Sequence, residues 1–200
     1  MELSIVIVNF NTLQYTIDCI NSVIKYTSGL QYEIILVDNA PKQDYQPAFK
    51  AVQTNLTYIR SEENLGFGRA NNLGIDLAKG KYLLLLNSDT LVTDDSLKKC
   101  VDYMNLPEAS SIGLLGCKLL NEDLSYQASF YPFTRHNLFS YFISNNPVLY
   151  KLFKIGQRYK APDEITKVGD VSGAFMLLRK EVIEKVKAFK LTKARLIGDI

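Results

Sequence analysis

Three apolar runs in the first half of the chain each end in short polar side chains. LSIVIV runs into Asn9, Phe10 and Asn11, YEIILV into Asp38 and Asn39, and YLLLL into Asn87, Ser88 and Asp89. Any one such Asp or Asn is most simply the start of a turn. Three together can furnish a site, because neighbouring parallel strands deliver their carboxyl ends to one crevice. The chemistry there would be hydrogen bonding plus a hard oxygen ligand. Asp89 could hold Mg²⁺ or Mn²⁺, which is satisfied with one or two carboxylates when a substrate's phosphates supply further oxygens. A cation so held would neutralise charge on a departing phosphate-bearing group.

The segment Asn64-Leu65-Gly66-Phe67-Gly68-Arg69 adds two glycines and a cation. Glycine lets the backbone approach a phosphate closely, and a helix that follows aims its N-terminus at the anion. No GK[ST] sequence follows, so this is not a Walker A loop. No GxGxxG follows the first strand either, which counts against a dinucleotide-binding enzyme.

The elements that must position these residues alternate. Leu3–Asn9 reads as a strand buried on both faces. Thr12 is a fitting N-cap for a helix over Thr12–Tyr26, with Ile17, Ile20, Val23 and Ile24 at helical spacing. Tyr32–Val37 is a second strand, then come a short helix and a third strand near Leu56–Arg60. Arg69–Ala78 reads as a helix closed by Gly80, Lys81–Leu86 as a fourth strand, and Ser96–Met104 as a helix. This order predicts an α/β fold, a mostly parallel Rossmann-like sheet flanked by helices. Asn121–Asp163 is aromatic and polar, and reads as an extended loop followed by an amphipathic helix. Val168–Leu178 reads as a last strand and Lys180–Lys187 as a last helix.

Composition narrows the function classes. The chain has 200 residues, enough for one domain with a substantial core, and 47% of them are hydrophobic. Its net charge of +2 comes from interspersed charges, so no basic face selects nucleic acid. Cys19, Cys100 and Cys117 are odd in number and lack CxxC spacing, which fits a reducing compartment. The N-terminal apolar run is short, carries Glu2 and reads as a strand, not a signal peptide. The expected site of action is the cytoplasm, at the inner face of a membrane if the basic bias of Arg135, Lys151, Lys154, Arg158 and Lys160 meets anionic lipid. The single histidine, His136, reads as a packing or surface residue.

Five blocks in order, SIVIVNFNT, ILVDNA, NLGFGRANNLGI, YLLLLNSDT and VSGAFMLLRKEVIEKV, resemble glycosyltransferase family 2 with its GT-A fold. The NSD variant and the NLGFGRANN block look most like bacterial rhamnosyltransferase-type members that build cell-surface polysaccharide. The resemblance implies a metal-dependent, inverting transferase of a hexose or deoxyhexose from a UDP- or dTDP-linked donor to a saccharide or lipid-linked saccharide. It places Asn9, Phe10 and Asn11 at the base and ribose, Asp38 on the base or ribose, and Gly66 and Arg69 near the diphosphate or sugar. Asn87 and Ser88 would flank the nucleotide, Asp89 would bind the metal, and Ser172, Gly173 and Ala174 would shape the acceptor side.

The pattern departs from the family after the last helix. An acidic ED or ExD motif, which would supply the general base, is replaced by VKAFKLTKARLIGDI. Asp199 is the one acid after Glu184 and a weak candidate for the base. The expectation is therefore a single GT-A domain, residues 1–200, without the C-terminal acceptor and base region. The alternative reading is a catalytically silent or truncated nucleotide-sugar-binding domain.

Overall fold

Seven residues of mostly β-branched character form β1 (Leu3–Asn9), and its central ones are shielded from solvent on both faces. It pairs in parallel with β2 (Tyr32–Asn39) along one edge and β4 (Tyr82–Asn87) along the other, with Leu3 opposite Tyr32 and Tyr82. The computed structural model describes residues 1–52, 56–131 and 164–186. These fall into two compact units, one formed by Met1–Leu115 with the described chain from Gly173, the other by Gly116–Ser172.

The first unit holds a six-stranded sheet in the order β3-β2-β1-β4-β10-β5, where β3 is Thr57–Ser61, β5 is Leu114–Leu115 and β10 is Phe175–Arg179. Strands β1 to β4 are parallel, and β10 runs antiparallel to β4 and β5. The mostly parallel, helix-flanked α/β sheet expected from sequence is the one observed. Chain order reverses beside β1: β2 and β3 lie to one side of it and β4 to the other. A crevice opens outside the carboxyl ends of the strands at such a point.

Because strand side chains alternate, the sheet has two chemically distinct faces. Val6, Ile35, Leu83 and Leu85 point to one face, against Ile75 and Ala78 of the α3 region and Ile183 of α5 (α3 is Gly66–Leu77, α5 is Lys180–Val186). Their neighbours Ile7, Asn9 and Tyr82 point to the other face, toward α1 (Leu13–Tyr26) and α4 (Ser96–Asn105). Helix α2 (Gln46–Val52) buries Phe49. Gly74 brings α3 onto β1: a Cβ there would lie 2.4 Å from Val6 Cγ1. Arg179 ties β10 to the end of α4, donating to the carbonyls of Met104, Ala109 and Ile112 at 2.7–2.8 Å.

Several boundaries moved for identifiable reasons. Helix α3 starts at Gly66, three residues before the expected Arg69, because Asn39 Oδ1 takes the Leu65 N–H and Asn64 Oδ1 the Gly66 N–H, both at 2.9 Å. On α1 the buried face runs through Thr16, Cys19, Ile20 and Val23, and Ile24 is exposed. The expected strand Val168–Leu178 is broken at Ser172–Ala174 into β9 (Asp170–Val171) and β10, which belong to different sheets.

In the second unit, β6 (Leu119–Leu120) and β7 (Tyr126–Gln127) form a hairpin, and β8 (Phe130–Tyr131) pairs with β9. The start of the Asn121–Asp163 segment is thus a hairpin turn and two short strands. The amphipathic helix expected further on, with His136 and the basic cluster from Arg135 to Lys160, lies outside the described residues. Among the described residues no helix is long and apolar enough to cross a membrane.

Candidate functional site

A cavity of about 310 Å³ opens at the carboxyl ends of the strands in the first unit. Its walls are Val8, Phe10, Asn39, Asn64, Gly66, Phe67, Asn71, Leu86, Asn87, Ser88 and Asp89. Val8, Asn39 and Asn87 continue the α3 face of the sheet, so α3 supplies the facing wall through Phe67 and Asn71. Phe10 and Phe67 are half-exposed aromatic rings on this surface. Among the described residues the polar lining consists of four amides, one hydroxyl and one carboxylate, and includes no cation.

Asp89 is the only acid in that lining among the described residues and is exposed. Among the described residues no group of three or more His, Cys, Asp or Glu side chains converges to hold a metal. The donor set therefore fits a hard divalent cation shared with a ligand's oxygens, not a closed all-protein cage. Beneath Asp89 the buried Cys19 thiol donates to the Asn87 carbonyl at 3.6 Å. Burial, with Asp89's charge adding to it, pushes that thiol up to about 12.

On the opposite face of the sheet the strand ends are joined by a buried polar network. Asn9 donates to Asp38 Oδ1 at 2.7 Å and Tyr58 donates to Asp38 Oδ2 at 2.5 Å. Asn9 Oδ1 accepts from the Thr12 N–H, the Thr12 hydroxyl and the Thr16 hydroxyl, at 3.1, 3.0 and 2.9 Å. The Thr12 hydroxyl also lies 3.3 Å from Ser88 Oγ. Thr12 is the residue before α1, as expected, but its hydroxyl serves this network and does not cap the helix. Burial, and then the bond to Asp38, raises the Tyr58 hydroxyl above the ordinary tyrosine range.

The sequence-derived candidates thus divide. Phe10, Gly66, Asn87, Ser88 and Asp89 line the cavity. Asn9 and Asp38 are wholly buried and face each other on the other side of the sheet. Asn11 holds a left-handed conformation (φ 57°) and accepts the Lys42 N–H at 2.9 Å, which fastens the turn after β1 to the turn after β2. Arg69 is exposed, donates to the Leu65 carbonyl of its own loop and is not in the lining. The backbone amides of Leu65 and Gly66, expected to face a phosphate, are taken by Asn39 and Asn64.

The Ser172–Ala174 group is split by the boundary between the units. Ala174 accepts the Asn87 N–H at 3.1 Å, and a Cβ on Gly173 would lie 3.9 Å from the tip of the Phe67 ring. Ser172 instead donates its N–H to Ser129 within the second unit, at 2.8 Å. Asp199 lies outside the described residues. Sequence reading passed over Asn64, Phe67 and Asn71 as site residues. The available signal was helical spacing: Phe67 and Asn71 are four apart and share a face.

The sequence profile of glycosyl transferase family 2 matches residues 4–187. The chain belongs to glycosyl transferase family 2. Within the family it is similar to the glycosyltransferase GlyG of Streptococcus pneumoniae serotype 4, with 29% identity over 113 residues, 55% of this chain and 37% of GlyG. It is also 30% identical over 108 residues to the poly(ribitol-phosphate) beta-glucosyltransferase of Bacillus spizizenii, covering 52% of this chain and 17% of that one. The matched stretch spans 37% and 17% of these two relatives, which are much longer than what they share with this chain.

Solved structures show the same fold. S. aureus TarS 1-349 in complex with UDP-GlcNAc superposes with a TM-score of 0.63 at 17% identity, over 94% of this chain and 48% of that one. The mannosyltransferase PcManGT from Pyrobaculum calidifontis, in complex with GDP-Man and Mn²⁺, gives 0.61 at 14%, over 94% and 47%. The family 2 chain described here accordingly has the GT-A fold.

Proposed function

We propose that this family 2 chain binds a UDP- or dTDP-linked hexose or deoxyhexose in the cavity at the strand ends. A divalent cation, Mg²⁺ or Mn²⁺, would sit at Asp89, and the sugar would pass with inversion to a saccharide or lipid-linked saccharide of a cell-surface polysaccharide. The observation that carries the reading is the charge of the cavity: a single carboxylate and no cation among its described lining residues. Such a surface repels a diphosphate unless a metal accompanies it, and Asp89 is the side chain that can hold one. When bound, that metal would neutralise the charge building on the departing nucleotide diphosphate.

Around it, Phe10 offers a ring face to the base, and Asn39, Asn64 and Asn71 offer amides to hydroxyl groups. Asn87 and Ser88 flank the nucleotide, while Gly66 allows its backbone close to the ligand. Gly173 and Ala174, adjoining Phe67 and Asn87, mark the acceptor side. Relatives support the polysaccharide acceptor through their names, which include a poly(ribitol-phosphate) beta-glucosyltransferase and a chondroitin synthase. A lipid-linked acceptor would bring the protein to the inner face of the membrane.

Calorimetric titration of UDP and dTDP into the wild type and Asp89→Ala, with and without Mn²⁺, tests the donor site. Binding is expected only with Mn²⁺, and lost in Asp89→Ala. Equal binding without metal, or by Asp89→Ala, would refute the metal assignment.

A second reading is favoured by one feature of the sequence: no acid lies between Glu184 and Asp199, where a general base would be sought. In that reading the chain binds a nucleotide sugar without transferring it. Sugar transfer that Asp199→Asn abolishes would reject it and identify the base. Binding without turnover would favour it.

A further inference from the structure

Beside Asp89 stands a hydroxyl whose proton is already committed. The Thr90 N–H donates to the Asn87 carbonyl at 3.1 Å and closes a turn with Ser88 and Asp89 at its two corners. Both side chains line the cavity. Ser88 Oγ has one hydrogen-bond partner among the described residues, Thr12 Oγ1 at 3.3 Å. Two hydroxyls by themselves leave the direction of such a bond open, and here the buried network fixes it.

The ordering starts at a group with no choice. The Thr12 backbone N–H only donates, and it points at the Asn9 side-chain amide at 3.1 Å, so the atom there is the amide oxygen. The same orientation turns the Asn9 nitrogen to Asp38, 2.7 Å away. The Thr12 hydroxyl has one proton to give. The Asn9 oxygen takes it, at 3.0 Å against 3.3 Å to Ser88 and 3.5 Å to Thr16, because an amide oxygen is a better acceptor than a hydroxyl. Toward Ser88, Thr12 Oγ1 can then only accept. Ser88 supplies the proton of that bond, and its lone pairs are left for the cavity.

We propose that Ser88 Oγ is a second protein ligand of the divalent cation at Asp89, and that Thr12 is the residue that turns its lone pairs to the cation. The inference rests on the donor-site reading above, which gives the metal to Asp89 alone. It adds a neutral, hard oxygen and a positioning residue that is not among the described lining residues. An octahedral cation held by one carboxylate and a diphosphate has positions left over, and a hydroxyl oxygen suits Mg²⁺ and Mn²⁺. A hydroxyl ligates only while its proton points away from the metal, toward an acceptor. Thr12 Oγ1 is that acceptor before any cation arrives. Without it the Ser88 proton could turn to the Asp89 carboxylate and compete with the cation for its oxygens.

The experiment titrates Mn²⁺ and Cd²⁺ into the protein by calorimetry in the presence of excess UDP, and follows the ultraviolet absorption of a cadmium–thiolate bond. Ser88→Ala should bind Mn²⁺ about tenfold more weakly than the wild type, and Thr12→Val should lose a similar factor. Thr12→Ser keeps the oxygen and should bind as the wild type does. Adding Thr12→Val to Ser88→Ala should weaken Mn²⁺ no further, since Thr12 acts through the Ser88 hydroxyl. In Ser88→Cys the preference should invert, with Mn²⁺ weaker and Cd²⁺ tighter, because a soft thiolate replaces a hard oxygen. The cadmium–thiolate band should then exceed that of the wild type, whose own three cysteines set the blank.

Unchanged Mn²⁺ affinity in Ser88→Ala, or no added band in Ser88→Cys, overturns Ser88 as a ligand while the metal at Asp89 stands. A further loss on adding Thr12→Val to Ser88→Ala overturns the positioning role, since the threonine then acts through the fold. The two Ser88 variants change a half-buried turn corner and decide the ligand even if Thr12→Val fails to fold. If the wild type binds no Mn²⁺ with UDP, or Asp89→Ala binds it equally well, the metal reading itself falls and the proposal with it.

Discussion

Asn9 and Asp38 are opposite each other in the β1–β2 register, and the 2.7 Å bond between their side chains joins the two strand ends. Asn9 is the node of the network, with one donated and three accepted bonds. Asn9→Ala would leave the buried Asp38 Oδ1 and the Thr12 N–H short of a partner, while Tyr58 still covers Asp38 Oδ2 and the Thr16 hydroxyl keeps its bond to the Thr12 carbonyl. A loss of about 2–4 kcal/mol is expected, since each stranded buried group costs roughly 1–3 kcal/mol. Urea unfolding measures it, with Asn11→Gly as the comparison. That change removes the exposed bond from Lys42 and a long 3.5 Å bond to the Ala40 carbonyl but suits the left-handed backbone at φ 57°, so its cost should stay within about 1 kcal/mol. Equal costs for the two variants would show that the network does not hold the strand ends together.

The contrast between these two asparagines also shows where sequence reading succeeds. The apolar runs LSIVIV, YEIILV and YLLLL demand burial on both faces, which made β1, β2 and β4 and the crevice at their ends legible. What an isolated sequence does not show is the phase of each strand. Asp38 and Asn39 are adjacent, yet alternation sends Asn39 to the cavity and Asp38 to the opposite face. The partner Tyr58 comes from β3, 20 residues away, and carries no local signal. Likewise the GFG stretch reads as a loop until Asn39 and Asn64 cap it, and capping from a distant strand turned it into the first turn of α3.

Helix α3 can form the cavity wall only because it lies close on β1, and Gly74 is what allows it. An alanine methyl there would stand 2.4 Å from Val6 Cγ1 and 3.1 Å from Cγ2, and a β-branched side chain has no free rotamer to retreat into. Gly74→Ala should cost about 1–3 kcal/mol by overpacking. Val6→Ala alone should also destabilise, through the cavity it leaves. Combined, the two changes should cost at least about 1 kcal/mol less than their sum, because the added methyl fills the space the valine vacated. A double-variant cycle by urea unfolding reads this directly. Strict additivity would mean that α3 slides on the sheet to relieve the clash, and UDP affinity should then fall in Gly74→Ala as the wall moves.

Cys19 gives the site a signature in alkaline solution. Its thiol, ordinarily at 9.0, stands at about 12 in the folded chain, chiefly because burial penalises the thiolate and additionally because Asp89 is negative. Between these values the unfolded chain loses a proton that the native chain keeps. Proton binding is then greater in the native state, so the stability present below about pH 9 declines as pH rises, by up to about 1.4 kcal/mol per unit from this group. Cys100, pushed up to about 11 by burial, acts in the same direction. Urea midpoints at about pH 8 and pH 10.5 should fall for the wild type and fall less for Cys19→Ala. Mn²⁺ beside Asp89 would offset the Coulomb part, so saturating UDP and Mn²⁺ should also make the wild-type slope shallower. An identical slope in Cys19→Ala would mean that the thiol meets solvent and that the floor beneath Asp89 is open.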